Sequence, residues 1–388
     1  MARMPTPDQP HNSTRRSPRP LKARIASTVV SSILALVLAE CLVRVFVPEA
    51  PSLRFLQTVD ESTVVTNAQT TREVFRNDND LFWRLRRNVQ LDYDGTFFSG
   101  LISNSQGLRE EHAVDIPKPA GTVRILFLGD SSTFGVYLQH TQTFVHKTEQ
   151  QLQQQFPDES FECINAGVPA YSLFQGWRFF ETSGVRYEPD LVIASFGVNG
   201  EGLWDQAGDI DHYKSLQARQ PQAGLRWSRL ARLAWGSLHS PPQAKDGEKT
   251  RRRLLPDEFA KLLAKLHESV RARGAELLLL IPPHRINFEN YRSFRDFPKT
   301  FLQAEQYRFG NQWRFGPENT ASFIDGPRIA LSLAGKRPVS EILLDSVHPT
   351  ELTNTRLAQA ICLKIQPWLK VRLEEVSMTG TENSTPRP

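Results

Sequence analysis

From residue 123 onward, short apolar runs alternate with longer amphipathic stretches, and this alternation restricts the possible folds more than any other feature. The apolar runs have the length of strands and cover residues 123–128, 161–164, 191–196, 276–281 and 322–324. The stretches with helical periodicity cover residues 143–156, 256–273 and 349–369. Largely apolar strands separated by helices are typical of a parallel sheet covered on both faces. We therefore expect an α/β fold whose active site lies at the carboxyl ends of the strands.

The net charge of the chain is concentrated at its amino-terminal end. Residues 1–24 contain six basic residues and one acidic residue, which accounts for the whole formal net charge of +5. The rest of the chain is neutral overall. The whole chain has 39% hydrophobic and 23% charged residues, which is typical of a globular protein. A neutral body argues against a nucleic-acid footprint, so we predict no nucleic-acid partner.

The sequence contains no signature of a metal or cofactor site. Its three cysteines, Cys41, Cys163 and Cys362, are too few and too scattered for a disulfide scaffold or a CxxC-type metal site. A phosphate loop, an HExxH motif and a dinucleotide glycine fingerprint are also missing from the sequence. We predict that the protein uses neither a metal nor a cofactor.

A membrane-targeting segment follows the basic arm. Residues 25–43 carry one charge, Glu40, and the charge-free run before it, residues 25–39, is 15 residues long. A spanning helix needs about 20 apolar residues and a signal-peptide core about 7 to 15. If the helix extends to Val47, Glu40 and Arg44 form an i,i+4 pair at the membrane interface. We favour an uncleaved signal anchor over residues 25–47; cleavage after Ala39 and a lipoprotein site at Cys41 are the alternatives.

The rest of the chain divides into four further segments. The basic arm, residues 1–24, is expected in the cytoplasm, and everything after Phe46 outside it, in the periplasm or extracellular space. Residues 48–110 are predicted to form a stalk and a strand-rich entry segment with a turn at Asp94 and Gly95. The main domain then covers residues 111–373, with insertions at 201–253 and 284–320. Residues 374–388 are polar and are predicted to be a disordered tail.

The first insertion contains a basic amphipathic pattern over residues 225–235, with arginines three positions apart. Such a segment can lie on a membrane, close over an active site, or pack its Leu and Trp face on the domain. We favour the third interpretation.

A serine turn stands at the end of the first strand of the main domain. The run 123–128 leads directly into Gly129, Asp130 and Ser131. A serine bared by a tight turn at a strand end can act as a nucleophile, and the amides that follow can bind an oxyanion. The tripeptide alone is also compatible with a turn that has no chemistry.

A second block precedes the last helix. Asp345 and His348 are three residues apart, and Pro349 suits the first turn of a helix. A carboxylate at this spacing can hold the imidazole tautomer while the other ring nitrogen faces a serine. A helix cap with an incidental histidine is the alternative, but together with Ser131 the block predicts a Ser-His-Asp triad.

These blocks resemble those of the SGNH (GDSL-type) hydrolases across about residues 100–370. The resemblance implies a flavodoxin-like three-layer α/β/α sandwich, with Ser131 as nucleophile and with Asp345 and His348 completing the triad. It also implies an oxyanion hole formed by the amides of Ser131 and Gly167 and by the Asn199 side chain.

One position departs from the family pattern, because Gly200 stands where the family has an acid. We expect Gly200→Asp to leave activity equal or higher. Residues 104–109, Asn-Ser-Gln-Gly-Leu-Arg, also resemble the entry segment of many bacterial members with an amino-terminal membrane helix.

The resemblance and the triad predict a serine esterase that hydrolyses an acyl ester, of an acylated carbohydrate or lipid, through an acyl-enzyme. The triad itself does not choose the acceptor, so an O-acyltransferase acting on cell-surface polysaccharide is one alternative. An inactive glycan-binding member of the fold is another, suggested only by Gly200.

Overall fold

The computed structural model describes residues 20–47, 73–91, 97–201, 203–204, 208–218, 225, 227–238, 251–283, 323–334, 337–345 and 347–382. The chain divides into two compact units, Met1–Glu49 with Ala218–Ser240, and Ala50–Gln217 with Pro241–Pro388. The predicted insertion 284–320 and the turn at Asp94 and Gly95 lie outside the described residues.

The described strands are β1 (Phe75–Asp78), β2 (Phe82–Leu85), β3 (Gln90–Leu91), β4 (Leu101–Ile102), β5 (Thr122–Gly129), β6 (Ser160–Gly167), β7 (Leu191–Ser195), β8 (Leu203–Trp204), β9 (Arg251–Arg252), β10 (Glu276–Ile281) and β11 (Phe323–Asp325). The described α-helices are α1 (Leu21–Phe46), α2 (Ser131–Phe134), α3 (Phe144–Gln155), α4 (Leu173–Thr182), α5 (Val198–Glu201), α6 (Asp209–Ala218), α7 (Arg229–Leu238), α8 (Pro256–Arg271), α9 (Gly326–Ala334) and α10 (Glu351–Glu382).

Five parallel strands form the central sheet of the larger unit, in the order β6-β5-β7-β10-β11. Numbered along the chain this is the order 2-1-3-4-5, which is that of flavodoxin-like folds. All five strands coincide with the predicted apolar runs. β6 extends past the predicted residue 164 to Gly167, because its last residues pair with the end of β5 and bring Gly167 opposite Gly129.

The side chains of β5 alternate between two hydrophobic layers. Val123, Ile125 and Phe127 pack in a cluster with residues of α3 and α10, whereas Leu126 and Leu128 pack in a second cluster with residues of α4 and α8. A strand buried on both faces needs apolar residues at successive positions, which explains its continuous apolar run. The sheet is therefore covered on both sides, and the predicted three-layer α/β/α sandwich is confirmed.

The strand-rich entry segment belongs to the core of this unit. β1 and β2 pair antiparallel, and Trp83 and Phe98 are buried in the same cluster as α4 and α8. The indole N–H of Trp83 donates to the carbonyl of Pro169 at 3.2 Å, and the Tyr171 hydroxyl donates to the Trp83 carbonyl at 2.6 Å. The entry segment thus contacts the loop that follows β6.

The last helix corrects the prediction for the carboxyl terminus. α10 ends at Glu382, so residues 374–382, predicted to begin a disordered tail, are helical. Once a helix is nucleated, each further residue adds a hydrogen bond, and residues such as Glu374, Glu375 and Met378 propagate helices well. Residues 383–388 lie outside the described part of the chain.

The smaller unit contains α1 and α7. α1 is 26 residues long, has no buried residue, and is long and apolar enough to cross a membrane. The predicted pair within it is confirmed, with Arg44 Nε 2.7 Å from Glu40 Oε1. The Glu40 carboxylate also accepts the amide N–H groups of Arg229 at 2.8 Å and Leu230 at 2.9 Å. α7 therefore begins against the last turns of α1, with a carboxylate at its positive end.

Candidate active site

The turn after β5 places a serine at the carboxyl end of the sheet. Asp130 caps the short helix α2, because its Oδ1 accepts the Ser132 amide at 3.0 Å. Ser131 is the first residue of that helix and is 9% exposed. A Cβ on Gly129 would lie 2.0 Å from Thr133 Oγ1, so the turn closes only over a glycine. The turn thus places Ser131 just after the carboxyl end of β5, the position that the sequence predicts for it.

Ser131, His348 and Asp345 form a continuous hydrogen-bonded chain. His348 Nε2 lies 2.8 Å from Ser131 Oγ, and His348 Nδ1 lies 2.6 Å from Asp345 Oδ2. The second oxygen of Asp345 accepts the backbone amides of Val347 at 2.8 Å and His348 at 2.9 Å. The structure thus brings together the three residues of the predicted triad.

The protonation state of Asp345 determines which ring nitrogen of His348 carries the proton. Burial alone would raise the pKa of this carboxyl, but its hydrogen bonds from the His348 ring and from the Val347 and His348 amides outweigh burial and lower the pKa below its usual value. An ionised Asp345 can only accept, so Nδ1 of His348 carries the proton. Nε2 is then free to accept the hydroxyl proton of Ser131.

Two aromatic rings pack edge-on against the His348 ring. The ring centroids of Phe97 and Tyr137 lie 5.7 Å and 5.8 Å from that of His348. Phe97 is buried, and His348 itself is only 5% exposed. These contacts restrict the imidazole to the orientation that faces Ser131 and limit the access of water to it.

Asn199 lies beside the serine turn, as the sequence predicts. Its Nδ2 lies 3.3 Å from Asp130 Oδ2 and 3.2 Å from the carbonyl of Tyr171. Burial raises the pKa of Asp130 to about 6. Both contacts of the Asn199 amide are long, so this group can shift toward an oxygen that develops negative charge.

Gly167 lies where β6 comes close to α2. Its amide N–H donates to Asn165 Oδ1 at 3.0 Å and is therefore already used. A Cβ at this position would lie 2.4 Å from the Phe134 nitrogen and 2.8 Å from the Thr133 carbonyl carbon, both backbone atoms. Gly167 thus permits the close approach of β6 to α2, and its place in an oxyanion hole stays a prediction.

The loop after β6 supplies another amide that the sequence analysis missed. Ala170 has a φ of +63°, unusual for a residue with a side chain, and it is buried. Among the described residues, no acceptor is hydrogen-bonded to its N–H. Its neighbour Tyr171 contacts Asn199 through its carbonyl. An alanine does not signal a left-handed conformation, so only the preceding Pro169 marks this turn in the sequence.

The entry motif at residues 104–109 supports the serine turn from behind. The Arg109 amide donates to the carbonyl of Asn165 at 3.2 Å. The buried guanidinium of Arg109 lies 4.1 Å from the centroid of the Phe134 ring and donates to the carbonyl of Leu138 at 2.6 Å. Arg109 of this motif therefore contacts and stabilises both α2 and the segment that follows it.

Gly200 lies in α5, next to Asn199, in apolar surroundings. A Cβ added there would meet Leu254 Cδ1 at 3.7 Å and Phe259 Cδ2 at 3.9 Å, which are ordinary contacts. A carboxylate at this position would face these apolar groups and lose hydration. We therefore expect Gly200→Asp to lower activity, whereas the sequence alone predicts equal or higher activity.

The described residues contain no group of three or more His, Cys, Asp or Glu side chains placed to hold a metal ion. The hydrogen-bonded residues of the site supply a serine hydroxyl, an imidazole and a carboxylate, with amide groups beside them. That set is suited to nucleophilic acyl transfer.

No protein-family model and no curated protein matches the chain. Among solved structures, it is similar to an acetyl xylan esterase, Axe2, from Geobacillus stearothermophilus, with 17% sequence identity over 63% of this chain and 94% of that one and a TM-score of 0.40. It is also similar to LAE5, an alpha/beta hydrolase enzyme from the metagenome of Lake Arreo, Spain, with 15% identity over 63% and 96% of the two chains and a TM-score of 0.39. At these values the assignment of the site rests on the geometry of this chain.

Proposed function

We propose that the protein is a membrane-anchored serine esterase of the SGNH (GDSL) type that hydrolyses acyl esters outside the cytoplasm. The observation that carries the proposal is the contact of 2.8 Å between Ser131 Oγ and His348 Nε2, in a chain that continues to Asp345. Because both hydrogen bonds of the triad are present, we favour an enzyme over a glycan-binding protein that has lost its activity.

In the proposed reaction His348 accepts the hydroxyl proton of Ser131 while Oγ attacks the ester carbonyl carbon. The negative charge on the carbonyl oxygen is stabilised by the amides of Ser131 and Ala170 and by Asn199 Nδ2. Collapse of this intermediate expels the alcohol, which takes the proton from His348. Water, deprotonated by the same imidazole, then attacks the acyl-enzyme and releases the acid.

The proposed location follows from α1 and from the charge of the arm before it. A helix of 26 residues spans about 39 Å, more than the hydrocarbon core of a bilayer. The six basic residues of the arm and the first turn of α1 favour a cytoplasmic amino terminus, and we therefore propose that Ser131 lies on the opposite side.

The proposal is tested with the detergent-solubilised full chain on acetyl, butyryl and longer nitrophenyl esters and on an acetylated polysaccharide, with released acid measured by mass spectrometry. We expect hydrolysis by the wild type and none by Ser131→Ala. Acyl groups recovered on sugar rather than as free acid would identify an O-acyltransferase instead. A folded wild type that cleaves none of these esters would contradict the proposal.

A further inference from the structure

A buried ion pair within the first insertion contacts the loop that contains Ala170. Arg253 and Asp209 have completely buried side chains, with Nε 3.1 Å from Oδ1 and Nη2 3.0 Å from Oδ2. Removing two charges from water is expensive, and such a pair is often no more stabilising than apolar residues of the same size. The contacts of the pair with its surroundings therefore indicate what it contributes.

The pair contacts the loop after β6 at two points and the first turn of α4 at a third. Arg253 Nη1 donates to the carbonyl of Ala170 at 2.6 Å, and Nη2 donates to Gln175 Oε1 at 2.7 Å. The Ser172 hydroxyl donates to Asp209 Oδ2 at 2.5 Å. Both charged side chains thus contact the segment 170–175, which comprises the end of the loop after β6 and the first turn of α4.

The conformation of Ala170 needs such support. A φ of +63° brings the Cβ of an L-residue close to the carbonyl of the preceding residue, and the strain persists only where neighbours impose it. The peptide before Ala170 is fixed by Trp83, whose indole donates to the Pro169 carbonyl at 3.2 Å. In a trans peptide the N–H points opposite to the C=O, so this bond turns the Ala170 N–H away from Trp83. Arg253 fixes the peptide that follows Ala170, because its Nη1 donates to the Ala170 carbonyl oxygen.

We propose that Arg253, anchored by Asp209, is a positioning residue that holds Ala170 in the left-handed conformation in which its N–H serves the oxyanion hole. This inference rests on the proposed function, because it gives the Ala170 amide a role in stabilising the transition state. The first insertion then contributes to catalysis through the loop it supports, without contacting the substrate itself.

The variant that tests this is Arg253→Lys, which keeps the positive charge beside Asp209 but loses the planar fork that reaches Ala170 and Gln175 together. We expect kcat to fall about tenfold or more while KM changes less than about twofold, because an oxyanion donor acts mainly in the transition state. Asp209→Asn, which leaves Arg253 in place but weakens its anchor, should shift kcat in the same direction.

Arg124→Lys is the matched control. Arg124 is also completely buried, donates to Glu162 at 2.6 Å and to the Tyr187 carbonyl at 2.6 Å, and lies near the amino end of β5, away from Ser131. Loss of this buried pair should lower the melting temperature without lowering kcat. An equal fall of kcat in both variants at equal loss of stability would mean a general structural role for Arg253 and would overturn the proposal.

The conformational part of the proposal is tested with Ala170→Gly in both backgrounds. Glycine adopts the left-handed conformation without strain, so it should restore part of the lost kcat in the Arg253→Lys enzyme. The factor by which Ala170→Gly raises kcat should be at least about threefold larger in the Arg253→Lys enzyme than in the wild type. Equal effects in the two backgrounds would mean that Arg253 and the Ala170 conformation are not coupled, contrary to the proposal.

A fluorophosphonate separates this inference from the proposed function. Ser131 Oγ forms a bond to phosphorus, fluoride leaves, and His348 takes the hydroxyl proton, so the rate of labelling depends on the oxyanion hole but not on the natural substrate. We expect Arg253→Lys to be labelled about tenfold more slowly or worse. A wild type that is labelled but cleaves no ester would refute the function and leave this inference standing. Labelling of Arg253→Lys at the wild-type rate would refute the inference and leave the function standing.

Discussion

At the scale of single residues, Asp130 links the serine turn to the side chain that faces it. One carboxylate oxygen accepts the Ser132 amide and the other lies within reach of Asn199 Nδ2. The residue is 1% exposed, and this burial raises its pKa from 3.8 to about 6. The ionised form is therefore held in place at a cost to the folded state, which makes stability depend on pH.

We predict that Asp130→Asn becomes more stable relative to the wild type as the pH rises from 4 to 6. An acid whose pKa is higher in the folded state binds its proton more tightly there, so its stabilising contribution is complete below 3.8 and is lost as the pH rises through 6. The difference in unfolding free energy should change by about 3 kcal/mol over this range and then level off. Urea unfolding in detergent at several pH values measures it, and parallel curves for the two proteins would contradict the raised pKa.

Asn199→Ala should lower kcat by about 10² to 10³, equivalent to about 2.7 to 4 kcal/mol, with little change in KM. The reason is that its amide strengthens its contact only when the carbonyl oxygen becomes negative. Steady-state kinetics on the best nitrophenyl ester measure both constants. A raised KM at unchanged kcat would show instead that Asn199 binds the substrate in its ground state.

Ser131→Ala and His348→Ala should each abolish nearly all turnover, and the double variant should be little worse than either, because the two groups act as a unit. Asp345→Asn should also be severe, since it favours the wrong imidazole tautomer, yet should retain more activity than the other two. Single-turnover rates of the four variants test this order. An active Ser131→Ala enzyme would exclude the proposed mechanism.

The residues of the site differ in how far the sequence could reveal them. Ser131, Asp345 and His348 occur in short blocks whose spacing already implies their contacts. The oxyanion donor that we propose in the loop after β6, Ala170, has no such block. The side chains that hold its two peptides, Arg253 and Trp83, lie about 83 and 87 residues away along the chain. A glycine in a familiar block, Gly167, was the natural prediction there, and the structure uses its amide elsewhere.

At the scale of elements, the approach of β6 to α2 fixes the geometry around the nucleophile. We predict that Gly167→Ala destabilises the protein by about 1 to 3 kcal/mol and reduces turnover, because the new Cβ would meet backbone atoms of Thr133 and Phe134 that cannot move independently. Melting temperature and kcat, measured on the same samples, test both effects.

Gly200→Ala is the matched control for this substitution. Its Cβ would make only ordinary contacts with Leu254 and Phe259, so stability and turnover should stay close to those of the wild type. Equal losses in the two variants would mean that close packing is not what requires Gly167.

The elements themselves followed from the sequence wherever burial on both faces demands continuous apolar residues. β10 begins and ends at the predicted residues, and the other central strands differ by only a few positions at their ends. The end of α10 departs from the prediction because the sequence of residues 374–382 has no hydrophobic period that would mark a helix. The contact of Glu40 with the start of α7 was also missed, since it joins residues almost 190 positions apart along the chain.

At the scale of the whole molecule, the separation of charge along the chain makes the orientation of the protein testable. The basic arm, residues 1–24, carries the entire net charge, and the rest of the chain is neutral overall. Basic residues next to a spanning helix are retained on the cytoplasmic side, whereas neutral segments are carried across. The arm should therefore determine the topology.

We predict that alkaline phosphatase fused after Phe55 is active and that a fluorescent reporter requiring the cytoplasm is dark at the same position. Fusions of the same two reporters at the amino terminus, before the arm, should give the reverse pattern. Replacing Arg15, Arg16, Arg19, Lys22 and Arg24 with glutamine should weaken this preference and produce a mixed population, because the charge that retains the arm is then largely removed. A phosphatase that is inactive after Phe55, with a bright fluorescent reporter there, would place Ser131 in the cytoplasm and would rule out an esterase acting outside the cell membrane.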